Sequence, residues 1–130
     1  MKDCKILVVD DFDTMQKIIR NILLEQGYSD IVYARNGKLA LEALQKEKID
    51  LIISDWNMPT MNGLELLKAV RESPELRHLP FIMVTAEAEQ AHINVAIKAK
   101  VDAYILKPFS GEKLAEKIEA AFHVAQQRNK

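Results

Sequence analysis

Aspartates follow two of the apolar runs. Asp10, Asp11 and Asp13 follow the apolar run Ile6-Leu7-Val8-Val9, and Asp55 follows Leu51-Ile52-Ile53-Ser54. A single Asp at such a position is ordinarily a turn former or a helix cap. Several brought to one place are different, because two unit charges about 4 Å apart repel by roughly 4 kcal/mol at an effective dielectric of about 20. A convergent group calls for a cation. The donors are all oxygen, with no His or Cys at ligand spacing, so the ion would be hard; one or two carboxylates completed by water and a phosphate oxygen suit Mg²⁺ better than an all-protein calcium cage. Two more apolar runs end in usable groups. Phe81-Ile82-Met83-Val84 leads into Thr85-Ala86, a hydroxyl beside a side chain small enough to leave room for an incoming group, and Ala103-Tyr104-Ile105-Leu106 leads into Lys107-Pro108. A hydroxyl donor and an ammonium facing metal-bound carboxylates would cradle a phosphoryl group, whose transfer needs mainly in-line positioning and charge neutralisation. For Lys107 a structural ion pair with the aspartates explains the residue equally well, and the two roles are compatible.

These residues converge only if the runs before them are neighbouring strands. Together with Ile31-Val32-Tyr33-Ala34 the apolar runs make five expected strands, and their continuous rather than alternating hydrophobicity implies cover on both faces, as in a parallel sheet. Between them lie helical spacings: Met15, Ile18, Ile19, Ile22 and Leu23; Leu39, Ala40, Ala43 and Leu44; Leu64, Leu67 and Val70; Ile93, Ala96 and Ile97; Leu114, Ile118, Ala121 and Phe122. Each offers an apolar stripe to a sheet. Gly27 closes the first helix, Asn36-Gly37 and Asn62-Gly63 open the second and third, and Ser110 caps the fifth. Five βα units predict an α/β, doubly wound, five-stranded parallel sheet of flavodoxin-like order 2-1-3-4-5, with right-handed crossovers placing helices on both faces. Ligands of such sheets bind beyond the carboxyl ends of the strands, which is where the five polar residues fall.

The bulk properties narrow the function. The 130 residues suit one domain, 1–130, ending in a polar tail with no output domain attached. With 18 basic and 19 acidic residues the formal charge is -1, which lacks the basic excess expected of a nucleic-acid binder. Cys4 is the only cysteine, which excludes an internal disulfide and suits a reducing compartment. The apolar stretch near the start is far too short for a signal peptide or a membrane span, so a cytoplasmic protein is expected. His78, His92 and His123 lack partners at metal or relay spacing and read as surface or packing residues.

Five ordered segments carry a resemblance that spans essentially the whole chain: Val8-Val9-Asp10-Asp11-Phe12, Ser54-Asp55-Trp56-Asn57-Met58-Pro59, Gly63-Leu64-Glu65-Leu66-Leu67, Met83-Val84-Thr85-Ala86-Glu87-Ala88, and Tyr104 followed by Lys107-Pro108-Phe109. They resemble the receiver domain of bacterial two-component response regulators. The resemblance implies a phosphoacceptor, Asp55, charged from a phosphohistidine on a partner histidine kinase. It implies Mg²⁺ held by Asp11, Asp55 and the backbone carbonyl of Asn57, with Asp10 acting through water, and phosphoryl oxygens bound by Thr85 and Lys107. The Lys107-Pro108 bond would be cis. Asn57 and Glu87 match positions that tune acyl-phosphate hydrolysis. Phosphorylation would draw Thr85 inward, favour an inward rotamer of Tyr104, and alter the surface of the fourth helix, fifth strand and fifth helix towards a target such as the flagellar motor switch. A phosphatase could also act on the protein, which is expected to be monomeric. Trp56 reads as an exposed flank of the acceptor.

Departures from the pattern bear on the partner. Lys100 stands where a glycine is usual, Glu89-Gln90 where basic residues are usual, and Asp13 where a small hydroxyl is common, adding negative charge near the pocket. A phosphate sink or a non-motor signalling receiver would use the same chemistry. Asp11-Phe12-Asp13-Thr14 also looks like the opening of a haloacid-dehalogenase-type, Mg-dependent aspartyl phosphatase, although that motif wants one more residue before the Thr and a cap domain. An FMN-binding flavodoxin shares the topology but needs hydroxyls and amides in its first loop, where carboxylates stand here.

Overall fold

The computed structural model describes residues 2–130. Strands and helices alternate without exception: β1 (Lys2–Val9), α1 (Asp13–Glu25), β2 (Tyr28–Ala34), α2 (Gly37–Lys46), β3 (Leu51–Asp55), α3 (Gly63–Glu72), β4 (Phe81–Thr85), α4 (Gln90–Lys98), β5 (Ala103–Leu106) and α5 (Gly111–Arg128). The sheet order is β2-β1-β3-β4-β5, and every neighbouring pair is parallel. Register places Val9 beside Ser54, Asp55 beside Val84 and Thr85 beside Leu106. The residues that end these strands therefore share one edge.

Alternating strand residues feed two cores, as the pleat requires. Ile6, Val8, Leu51, Ile53, Ile82, Val84 and Ile105 pack with Ile19 and Leu23 of α1 and Leu114, Ile118 and Ala121 of α5. Leu7, Val9, Ile52, Phe81 and Met83 pack with Ala40 and Leu44 of α2, Leu66, Leu67 and Val70 of α3, and Ala96 of α4. β3 and β4 are buried along their whole length, which explains their unbroken hydrophobicity. Among the described residues, no helix is long and apolar enough to cross a membrane.

The helix starts are built as expected. Asn36 Oδ1 accepts from Leu39 N, Ser110 Oγ accepts from Lys113 N, and Asn62 with Glu65 forms a reciprocal capping box. Three stripe assignments need correction. Ile18, Leu39 and Ile97 are 43%, 43% and 59% exposed, because the sheet-facing strip of each helix is narrower than its apolar content. β2 also begins earlier than its apolar run, at Tyr28, since an edge strand keeps its ladder through polar residues that face solvent.

The edge opposite the strand ends is closed by a polar lock. Asp102, its side chain fully buried, accepts from Arg71 Nη2 at 2.7 Å, from Phe81 N at 2.9 Å, and from Arg128 Nη1. Arg71 also donates to the carbonyls of Lys100, Arg77 and Leu79. Burial, with the Arg128 charge added, lowers the Arg71 guanidinium to about 10. One carboxylate thus ties the ends of α3 and α5 to the starts of β4 and β5.

Candidate functional site

Asp10 leaves β1 fully buried, and its geometry is set by its own turn. Oδ1 accepts from Phe12 N at 2.9 Å, and the backbone carbonyl accepts from Gln16 Nε2 at 2.7 Å. Gln16 also reaches the Ala34 carbonyl, fastening α1 to the ends of β1 and β2. Nothing in the spacing of apolar residues singles out Gln16; only its place one turn into α1 does.

Asp55 ends β3 at 5% exposure. The loop after it doubles back so tightly that Gly63 N donates to Trp56 O at 2.8 Å, and a Cβ on Gly63 would sit 2.2 Å from the Asp55 carbonyl. Only glycine fits there. Asn57, two residues beyond Asp55, is exposed at the rim.

One carboxylate oxygen from each of Asp10, Asp11 and Asp55 lies within 4.8 Å of the others. Asp10 Oδ2 and Asp11 Oδ1 are buried without a hydrogen-bond partner. Buried, unpartnered, all-oxygen acceptors fit a hard divalent cation such as Mg²⁺. Lys107 Nζ partly answers their charge from the end of β5, at 3.0 Å from Asp55 Oδ1 and 3.9 Å from Asp10 Oδ2. Burial above all pushes the Asp10 carboxyl up to about 6, and the Asp55 charge adds to the rise. Asp55 is raised by burial too, and the Lys107 hydrogen bond and charge pull it back.

Lys107 is positioned by its backbone. Its N–H donates to Thr85 O at 2.8 Å, and the Lys107-Pro108 peptide is cis, as the resemblance implies. Thr85 is buried at the same edge, and its Oγ1 accepts from Glu87 N at 3.1 Å. Tyr104 is half-buried against the α2–α3–α4 core and donates its hydroxyl to Glu87 O at 2.8 Å. Burial raises the phenol pKa, and a hydrogen bond with Thr85 offsets part of that rise. Glu87 itself is exposed.

Two sequence expectations change here. Trp56 is no exposed flank: it is 6% exposed, and its ring lies on that of His92 from α4, with centroids 3.5 Å apart and planes inclined by 30°. His92 thus takes the packing role expected of it. Asp13 stands outside the carboxylate group and is exposed; Arg35, which also reaches the Asp11 carbonyl, pairs with it and offsets the negative charge expected near the pocket.

The family described as the response regulator receiver domain matches residues 6–119, and the chain belongs to it. It is a two-component receiver, and that membership sets aside the phosphatase and flavodoxin readings. Among curated relatives, chemotaxis protein CheY-3 of Vibrio cholerae is 46% identical over 121 residues, which is 93% of each chain. Chemotaxis protein CheY of Pseudomonas aeruginosa is 48% identical over 118 residues, covering 91% of this chain and 95% of that one. The solved structure of the chemotaxis response regulator CheY4 of Vibrio cholerae matches with a TM-score of 0.85 at 32% identity, covering 92% of this chain and 99% of that one.

Proposed function

We propose that the protein is a cytoplasmic chemotaxis switch that takes a phosphoryl group onto Asp55 and thereby changes its affinity for a protein target. The observation that carries this reading is the ammonium of Lys107 lying 3.0 Å from a buried aspartate that shares its edge with two buried carboxylate oxygens that accept no hydrogen bond. Asp11, Asp55 and the Asn57 carbonyl would hold Mg²⁺, with Asp10 behind them. The chemistry a bound Mg²⁺ supplies is neutralisation of charge on the carboxylates and the transferring phosphoryl oxygens.

The chain's own groups do the rest. Asp55 must be ionised to attack, and the Lys107 charge opposes the burial that would keep it protonated. An Asp55 oxygen forms the new O–P bond as the P–N bond to the donor kinase histidine breaks, the electron pair leaving with the imidazole. Lys107 and the Thr85 hydroxyl then bind the phosphoryl oxygens, and Asn57 and Glu87 at the rim set how readily water reaches the acyl phosphate. Thr85 holds the N–H of Glu87 and Tyr104 its carbonyl, so a shift of Thr85 towards phosphate is passed along the Glu87 backbone to Tyr104 and to the α4–β5–α5 face. Leu106 and Ile97 expose apolar surface there for a target, for which a flagellar motor-switch segment is the one to test.

Acetyl phosphate with Mg²⁺ should add one phosphoryl group, seen by intact mass, and Asp55→Asn should abolish it. Undiminished labelling of that variant would defeat the acceptor assignment. Beryllofluoride with Mg²⁺ should tighten binding of a motor-switch peptide, and unchanged affinity would defeat the target assignment alone.

A further inference from the structure

Beside the ends of α3 and α4, two cavities of about 640 and 340 Å³ adjoin, sharing Arg71 and Lys100 in their walls. Lys68 and Lys98 line the larger, which runs between α3 and α4, and Arg77 and Lys130 line the smaller, beside the end of α5. Glu72 is the one acidic side chain lining either. Lys68, Arg77, Lys98, Lys100 and Lys130 make no ion pair among the described residues. Below them Arg71 and Arg128 share the single charge of Asp102, so the buried lock adds to the positive field rather than quenching it. A chain of formal charge -1 has thus gathered a large part of its positive charge at one end.

Lys100 sharpens the point. Its φ of 68° is the left-handed region, which penalises any residue with a Cβ and which glycine enters freely. The lysine therefore costs stability at this position while its side chain lines both cavities. Backbone strain of this kind clusters at ligand-holding and switch positions.

We propose that the α3–α4 groove is an interaction surface for an acidic segment of a partner protein, engaged independently of the acceptor Asp55. An acidic segment complements the unpaired lysines and raises the rate and specificity of docking. Val95, 44% exposed, and Ala99 give the groove an apolar floor, which takes an apolar side chain set between carboxylates and has no use for a phosphodiester. A long nucleic acid would also bring its charge against the acidic remainder of the chain, where Glu112, Glu116 and Glu119 are exposed along α5.

The probe is a fluorescein-labelled peptide of paired glutamates interrupted by leucines, followed by anisotropy with the full chain. Binding should weaken as salt is raised and should be the same with and without beryllofluoride and Mg²⁺. Lys98→Glu combined with Lys100→Glu should weaken it by about tenfold or more, whereas Lys17→Glu on α1 should leave it unchanged. Lys100→Gly should raise the melting temperature and still weaken binding, a combination that a merely structural lysine would not produce. Phosphorylation by acetyl phosphate should be intact in all these variants, which separates failure here from failure at Asp55. Equal binding by wild type and the double variant overturns the proposal. So does stronger retention by a duplex oligonucleotide or by phosphatidylserine vesicles than by the peptide.

Discussion

The Tyr104 hydroxyl donates to the Glu87 carbonyl at 2.8 Å, while the N–H of that same Glu87 is held by Thr85 Oγ1 at 3.1 Å. The Glu87 backbone, between the candidate phosphoryl site and α4, is thus gripped at its N–H and at its carbonyl, by one residue of β4 and one of β5. Tyr104→Phe removes one grip and leaves the ring packing. It should cost about 1 kcal/mol or less and speed amide exchange over residues 86–89 without slowing phosphorylation. Exchange at the wild-type rate would show that the bond does not restrain this loop.

Charge at the carboxylate group sets a pH dependence. The Asp10 carboxyl is raised from 3.8 to about 6, so the folded protein binds that proton more tightly than the unfolded chain does. Stability from this source is fully present below the unfolded value and is lost as pH rises through the folded one. In EDTA, wild type should therefore lose about 2 kcal/mol relative to Asp10→Asn between roughly pH 4 and pH 7, and saturating Mg²⁺ should reduce the loss. Urea unfolding across that range checks the sign, and parallel curves for the two proteins would refute it.

The Trp56–His92 stack ties the residue after the acceptor to α4. His92→Ala should cost about 1 kcal/mol, shift Trp56 emission to the red, and increase its quenching by acrylamide. Trp56 is the only tryptophan, so the signal is unambiguous. Unchanged emission would mean that α4 does not shield the indole.

Gly63 leaves the Asp55 carbonyl no room for a neighbour: an added Cβ would also lie 2.9 Å from Trp56 Cα and from Met83 Sδ. Gly63→Ala should destabilise by about 1–3 kcal/mol, the range of an overpacked core, and slow acetyl-phosphate labelling by displacing Asp55. Normal labelling in a destabilised protein would separate packing from acceptor geometry.

The linear order of residues carried the sheet and most of its carboxyl edge. A run such as Ile6-Leu7-Val8-Val9 declares a doubly covered strand from its own neighbours, and strict βα alternation leaves few ways to wind a parallel sheet. Once that order is known, Asp10, Asp11, Asp55, Thr85 and Lys107 must share an edge, because each ends a strand or follows closely on one. Packing between distant elements settled what periodicity cannot express. Trp56 is buried because α4 brings His92 over it, and Asp13 is offset because Arg35 follows the neighbouring strand. Ile18, Leu39 and Ile97 face outward because the width of each contact with the sheet, rather than the apolar count of the helix, sets how many side chains are covered. The Arg71–Asp102–Arg128 lock joins the ends of α3 and α5 to the starts of β4 and β5, whose residues lie far apart along the chain. Local pattern reports a residue's direction about its own axis, and a contact between two elements exists only when both axes are set in space.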